Sequence, residues 1–350
     1  MEAAKPHPAK HRPEGTVCAL FGLPTDKEPL ADKTPEELAE RLVADGINAV
    51  VHVPHKLELI KALKAAGIAC YGEATYFCGE GSWKKHPESR PVQSDGSLME
   101  KDGWYAGVCA SQEEVVEEKL EYIRKQCREL PIDGVWLDFI RWPTRWEMAV
   151  PRFVDACYCP NCLERFQNET GIDIPDDLDD APRISRWISG QCPDAWRAWR
   201  CGIIADACRR TKQVLTEEIG PNAVLGIFLV PLSREEFDGA IVDVFGQDVS
   251  LLAEHVDVFS PMSYHAMCER SVEWIGELNA EVRAMSRREV WPIVQPRDEP
   301  RPVSAEEYRQ ALLEGLSGGA SGVMMFTAGD ACTPEKWRVQ TEVFRKFAGQ

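Results

Sequence analysis

The sequence predicts an α/β protein, a closed (β/α)8 TIM barrel with a long insertion after its fourth strand. Three observations carry that expectation. Eight short apolar runs recur along the 350 residues, each followed by an amphipathic helical pattern, which implies a parallel sheet covered by helices. The eight units fill the chain from Thr16 to Phe347, the number a closed barrel needs. The first strand runs into FGLPTDKEPL, without the Gly-rich phosphate loop that the competing architecture, an open doubly wound sheet, places there.

Thr16–Leu23 (TVCALFGL) is the first strand, and Thr34-Pro-Glu-Glu reads as the capped start of a helix running to Asp45-Gly46. Ile47–Val53 precedes the helix LELIKALKAAG, and Ile68–Phe77 precedes, after a long loop, the helix SQEEVVEEKLEYIRKQCREL. These helices close on Gly or run into Pro131, as helix ends do. Asp133–Ile140 is the fourth strand, followed by the insertion, 143–192, and a helix from Pro193 to about Ile219. The fifth strand, Ala223–Leu232, leads to a helix around Val249–His255. Val256–Tyr264, Glu289–Gln295 and Ser321–Thr327 complete the strands; the helices behind them are SVEWIGELNAEVRAM, SAEEYRQALLEGLSGG and Pro334–Phe347. Residues 1–15, polar and Pro-rich, read as a flexible tail, and 16–350 as a single barrel domain.

A composition of 44% hydrophobic and 28% charged residues excludes a disordered or fibrous chain. No apolar run approaches the roughly 18 residues of a membrane span, so no membrane partner is expected. A net charge of −17 repels polyanions, which argues against nucleic acid. Thirteen scattered cysteines, and a beginning without the apolar core of a secretory signal, predict a cytoplasmic protein with mostly reduced thiols.

Barrel chemistry sits at the carboxyl ends of the strands. The sharpest feature there is DGVWLDFIRWP, in which Asp138 closes an otherwise apolar strand. An ionised carboxylate in that setting needs a partner, and Arg141 three residues on is expected to hold its pKa low. That suits a nucleophile or a stabiliser of an oxocarbenium ion, although an Asp–Arg pair can also simply close a strand end. Aromatic residues crowd the same rim, and their faces stack on the C–H side of sugar rings. A carbohydrate ligand is therefore expected, lined by Arg141, Trp142, Tyr264, His265, Gln295, Trp104 and Tyr76.

DGVWLDFIRWP, the downstream CYCPNCLERFQNETG, the GQD followed by VDVFSPMSYH, and SGGASGVMMF together resemble the bacterial glycoside-hydrolase-like (β/α)8 barrels, distantly α-amylase-like at strand four. The resemblance implies hydrolysis of a glycosidic bond in an oligo- or polysaccharide with Asp138 as nucleophile, and no cofactor for catalysis. The α-amylase-like barrels place a Glu at the end of strand five as general acid, but this chain has GIFLVPL there. The second carboxylate is then Asp248 in the GQD turn or Glu73 between Tyr71 and Tyr76, with Asp330 behind them; an apolar setting suits an acid.

Cys157, Cys159 and Cys162 fall within six residues, and with Cys192 they could hold a structural zinc that clips the insertion. Free thiols or one local disulfide are the simpler readings. His52 and His55, joined by His265, raise a metal-dependent hydrolase as one alternative function. A non-catalytic saccharide-binding barrel is the other, because the second acid is not fixed by pattern. No G-x-S-x-G elbow supports a nucleophilic serine.

Overall fold

The computed structural model describes residues 12–331 and 333–348, so most of the expected tail lies outside the described residues. Eight parallel strands close into a barrel with helices around it. They are β1 (Val17–Phe21), β2 (Ala49–Val51), β3 (Ala69–Thr75), β4 (Gly134–Asp138), β5 (Val224–Leu229), β6 (Val258–Ser263), β7 in two pieces (Glu289–Val290 and Ile293–Val294) and β8 (Gly322–Met325). Consecutive strands pair, and β8 returns to β1 in the register Val17↔Gly322 through Leu20↔Met325. β7 breaks at Trp291-Pro292 because Pro has no N–H for the ladder; Trp291 N–H still reaches the Phe259 carbonyl at 2.9 Å.

Strands buried on both faces read as the continuous apolar runs seen in the sequence. The barrel interior is filled by Tyr71, Trp136 and Trp291, with Trp136 stacked on Trp291 at 5.2 Å and tilted against Tyr71 at 4.7 Å. The indole N–H of Trp136 donates to Ser260 Oγ at 3.0 Å, so the large ring carries no unpaired polar group inward. Gly226 makes room for it: a Cβ there would stand 2.1 Å from the indole. Outside, the helices begin where their caps predict. Thr34 and Glu37 form a reciprocal capping box, and Ser304 and Thr333 cap the helices Ala305–Gly315 and Pro334–Phe347.

The insertion contains two helices that the sequence reading left unassigned, Pro160–Thr170 and Ala181–Gln191. Pro160 at the first turn and Gly171 in the left-handed C-cap bound the first, and Asp180 caps the second by accepting from Arg183 N–H. The insertion is laced to the long loop after β3: Gln93 bridges Ala156, and Tyr158 N–H bonds the Val92 carbonyl at 2.9 Å. Both segments rise over the carboxyl ends of β3 and β4, where the chemistry-bearing residues stand. No helix among the described residues is long and apolar enough to cross a membrane.

Candidate active site

Asp138 is the last residue of β4, in register with Thr75 of β3. Phe139 follows it in a left-handed conformation (φ 52°), which turns the chain sharply off the strand. The Phe139 N–H donates back to Asp138 Oδ1 at 2.8 Å. Burial is the largest influence on this carboxyl and the Glu73 charge adds to it; together they outweigh Arg141 and push its pKa up to about 7.

This corrects the expected Arg141–Asp138 pair. Beyond the turn at Phe139, the Arg141 guanidinium lies over the Phe139 ring at 4.7 Å and bonds Glu147 Oε1 at 3.2 Å. Arg141 is buried, so its charge is committed to Glu147. Glu147, which the sequence reading did not single out, is the third carboxylate of the site and also raises Asp138. Its backbone neighbour Trp146 is stacked on Tyr264 at 5.9 Å, and Tyr264 on Phe326 at 5.0 Å.

Glu73 shares with Tyr71 the inward face of β3, by the strand period of two. Its carboxylate accepts from Thr75 Oγ1 at 3.0 Å and lies 3.4 Å from His52 Nδ1. The hydrogen bond to Glu73 outweighs desolvation and raises the His52 pKa, with further help from the charges of Glu73 and Asp138. His52 itself is left-handed (φ 59°) and stacks on Phe21 at 5.4 Å. Glu73 and Asp138 thus stand on adjacent strands two residues out of register, a Cα separation of about 8 Å from strand rise and spacing.

Several expected ligand residues are placed elsewhere. Asp248 caps the short helix Val249–Leu252 by accepting from Ser250 and Leu251 N–H at 3.0 and 3.3 Å. The working residue of GQD is Gln247, whose side chain bonds Val230 N–H at 2.9 Å and the Ile140 and Phe228 carbonyls at 3.2 Å, bracing the ends of β4 and β5. Trp142 is buried, donating to the Arg200 carbonyl at 3.0 Å, and Tyr76 faces outward to Thr211 at 3.2 Å. Gln295 ties Met267 N–H to the Arg297 carbonyl at 3.2 and 3.0 Å, while His265 bonds Glu307 at 3.0 Å and its pKa is lowered by burial. Trp104 is the expected platform that does reach the mouth: it is 58% exposed and edge-on to Phe139 at 5.8 Å.

Among the described residues, the group with metal-holding geometry is Cys109, Cys157, Cys159 and Cys162, whose sulfurs lie within 4.8 Å of one another. Cys109, from the loop after β3, replaces Cys192, which sits at the junction between the helices Ala181–Gln191 and Pro193–Glu218. Cys109 Sγ is 3.8 Å from Cys159 and 3.3 Å from Cys162. A tetrahedral site with metal–sulfur bonds of about 2.3 Å needs sulfurs about 3.8 Å apart. Val92 N–H points at Cys157 Sγ from 3.3 Å, and hydrogen bonds from Cys109, Cys157 and Cys162 pull the Cys159 thiol far down. All the described cysteines are free thiols, and His52, His55 and His265 do not converge on a metal-holding group among the described residues.

No family model and no curated protein matches the chain. Solved structures do. The glycoside hydrolase domain of PgaB (BpsB) from Bordetella bronchiseptica is similar at a TM-score of 0.67 and 15% identity, over 95% of this chain and 98% of that one. The β-galactosidase from Bacillus circulans sp. alkalophilus is similar at 0.69 and 14%, over 95% of this chain and 56% of the other. The β-galactosidase from Marinomonas ef1 gives 0.65 and 13%, over 94% and 59%. The chain therefore spans a little over half the length of these β-galactosidases. The likeness is one of fold, a glycoside-hydrolase-like barrel.

Proposed function

We propose that the protein hydrolyses a glycosidic bond in an oligo- or polysaccharide at the carboxyl mouth of the barrel, with Asp138 as general acid and Glu73 as its carboxylate partner. The observation that carries this reading is the Asp138 carboxyl, raised to about 7 beside a second carboxylate. A carboxyl kept protonated near neutrality beside a second carboxylate is what the general acid of glycoside hydrolysis requires. Asp138 delivers its proton to the leaving oxygen as the glycosidic bond breaks, Glu73 meets the positive charge that develops at the anomeric carbon, and a water bonds to that carbon and gives up the proton that restores Asp138. The role of Asp138 is thereby the reverse of the nucleophile implied by the strand-four resemblance, because burial and like charge keep it protonated near neutrality.

The mouth suits a sugar. Trp104 offers an exposed ring, and Tyr264 on Trp146 a second aromatic wall. We also assign the four-cysteine group a structural zinc, which would fix the insertion against the loop after β3 and take no part in the chemistry.

The test is a panel of oligosaccharides and aryl glycosides offered to the wild type and to Asp138→Asn. Removing a general acid should lower kcat/KM by about 10²–10⁴-fold on natural linkages, and by much less on aryl glycosides whose leaving group needs no proton. Wild-type turnover by Asp138→Asn on a natural linkage would overturn the assignment.

A further inference from the structure

The barrel wall is open between β2 and β3 above Tyr71. β2 stops at Val51, His52 turns left-handed, and the Val53 N–H makes a bond across to the Tyr71 carbonyl at 3.1 Å. The next carbonyl on that edge of β3, Glu73, accepts instead from Gln126 Nε2 at 3.0 Å, a side chain of the helix Glu113–Glu129. One to two turns earlier on this helix, Glu118, Lys119 and Tyr122 join Glu73 and Thr75 in lining a cavity of about 320 Å³. Glu73 is therefore reached from the helix side as well as from the mouth.

Lys119 is half-buried on that cavity. Its ammonium makes none of the ion pairs found among the described residues, which run to 4.0 Å. Glu118 beside it is already engaged by Lys85 and by His86 Nε2, the latter at 2.7 Å. Burial draws the Lys119 pKa down, and Glu73 is the first of the charges that hold it up. Glu73 is also faced by His52 from the end of β2, Asp138 from β4, and Glu118 and Tyr122 from the helix. Asp138 and Glu118 oppose a charge on Glu73. His52 supports it only while protonated, so of these groups Lys119 is the cation that persists through neutral pH.

We propose that Lys119 is a positioning residue that holds the charge on Glu73 through this lateral opening of the barrel. The proposal rests on Glu73 being the second carboxylate of a glycosidase, and it predicts an effect that needs no substrate. In protein labelled with ¹³C at the glutamate side-chain carboxyls, the Glu73 resonance is identified by its loss in Glu73→Gln and followed against pH. Lys119→Met should move the Glu73 midpoint upward by about half a pH unit or more, since an opposite charge in a partly desolvated setting favours the carboxylate. Lys119→Arg should restore most of the shift. Lys119→Gln is the second variant, and melting curves establish that each remains folded.

A Glu73 midpoint that stays at the wild-type value in folded Lys119→Met and Lys119→Gln overturns the proposal. With a substrate in hand, the acid limb of kcat/KM should move with the midpoint in Lys119→Met and return in Lys119→Arg. If Glu73→Gln and Asp138→Asn both hydrolyse at wild-type rates while the midpoint still shifts, the assignment of these two carboxylates to catalysis falls and the effect of Lys119 on Glu73 stands.

Discussion

A carboxyl group that titrates near neutrality ties activity and stability to the same proton. Asp138, with its pKa at about 7, must be protonated to act as an acid, so kcat/KM should fall as pH rises through that value. Stability follows the same sign. The unfolded chain holds this proton only up to about pH 4, whereas the folded one holds it to about 7, so the contribution is complete below 4 and declines between the two. Asp138→Asn carries no such titration. Its melting temperature should exceed the wild type by a margin that grows from pH 4 to 7 and is constant above, and a margin that is flat across pH 4 to 8 would refute the raised pKa. The position of Asp138 was legible in the sequence as an acid ending an apolar strand. Its protonation was not, because the three-residue spacing to Arg141 says nothing of the left-handed turn at Phe139 that carries the guanidinium to Glu147. Trp142 and Tyr76 are buried away from the mouth for a related reason: the apolar runs extend to Ile140 and Phe77, but the strands stop at Asp138 and Thr75, and the side that each later side chain faces depends on where the strand stops.

Elements were read more securely than contacts between them. Eight apolar runs and their capped helices sufficed for the barrel, since strands buried on both faces and amphipathic helices each have their own period. The break in β7 is the exception: Glu289–Gln295 reads as one strand, and Pro292 divides it. The four-cysteine group shows the limit: three sulfurs lie within six residues, but Cys109 stands 48 residues before Cys157 on another loop, and no local pattern marks it. The two assignments make opposite predictions. Elemental analysis of the purified protein should find about one zinc per chain, as four thiolates at this spacing imply. Cys109→Ser should lose it and melt at a lower temperature, whereas Cys192→Ser should keep both. Retention of zinc by Cys109→Ser with loss in Cys192→Ser would restore the pattern-based set.

At the scale of the whole molecule, the insertion and the loop after β3 are built into the barrel. Arg200, buried in the long helix Pro193–Glu218, donates to the Ala156 carbonyl of the insertion at 2.9 Å and to the Asp243 and Val244 carbonyls at 2.8 Å. The same helix supplies the Trp142 bond and packs Trp196 on Trp199 at 4.9 Å. Breaking the insertion away would cost the Arg200 guanidinium its bond to the Ala156 carbonyl, leaving it the carbonyls of Asp243 and Val244. It would also open the four-cysteine group. The chain from Thr16 onward is therefore expected to unfold as one unit. In a urea titration, far-ultraviolet circular dichroism, tryptophan fluorescence and release of zinc to a colorimetric chelator should share a single midpoint. Stripping the metal beforehand should move that midpoint to lower urea without splitting it, because the clip and the barrel draw on the same contacts. Metal release that precedes the loss of circular dichroism by a separate transition would make the insertion an independent domain, and would remove the physical basis for its holding Trp146 and Glu147 over the mouth.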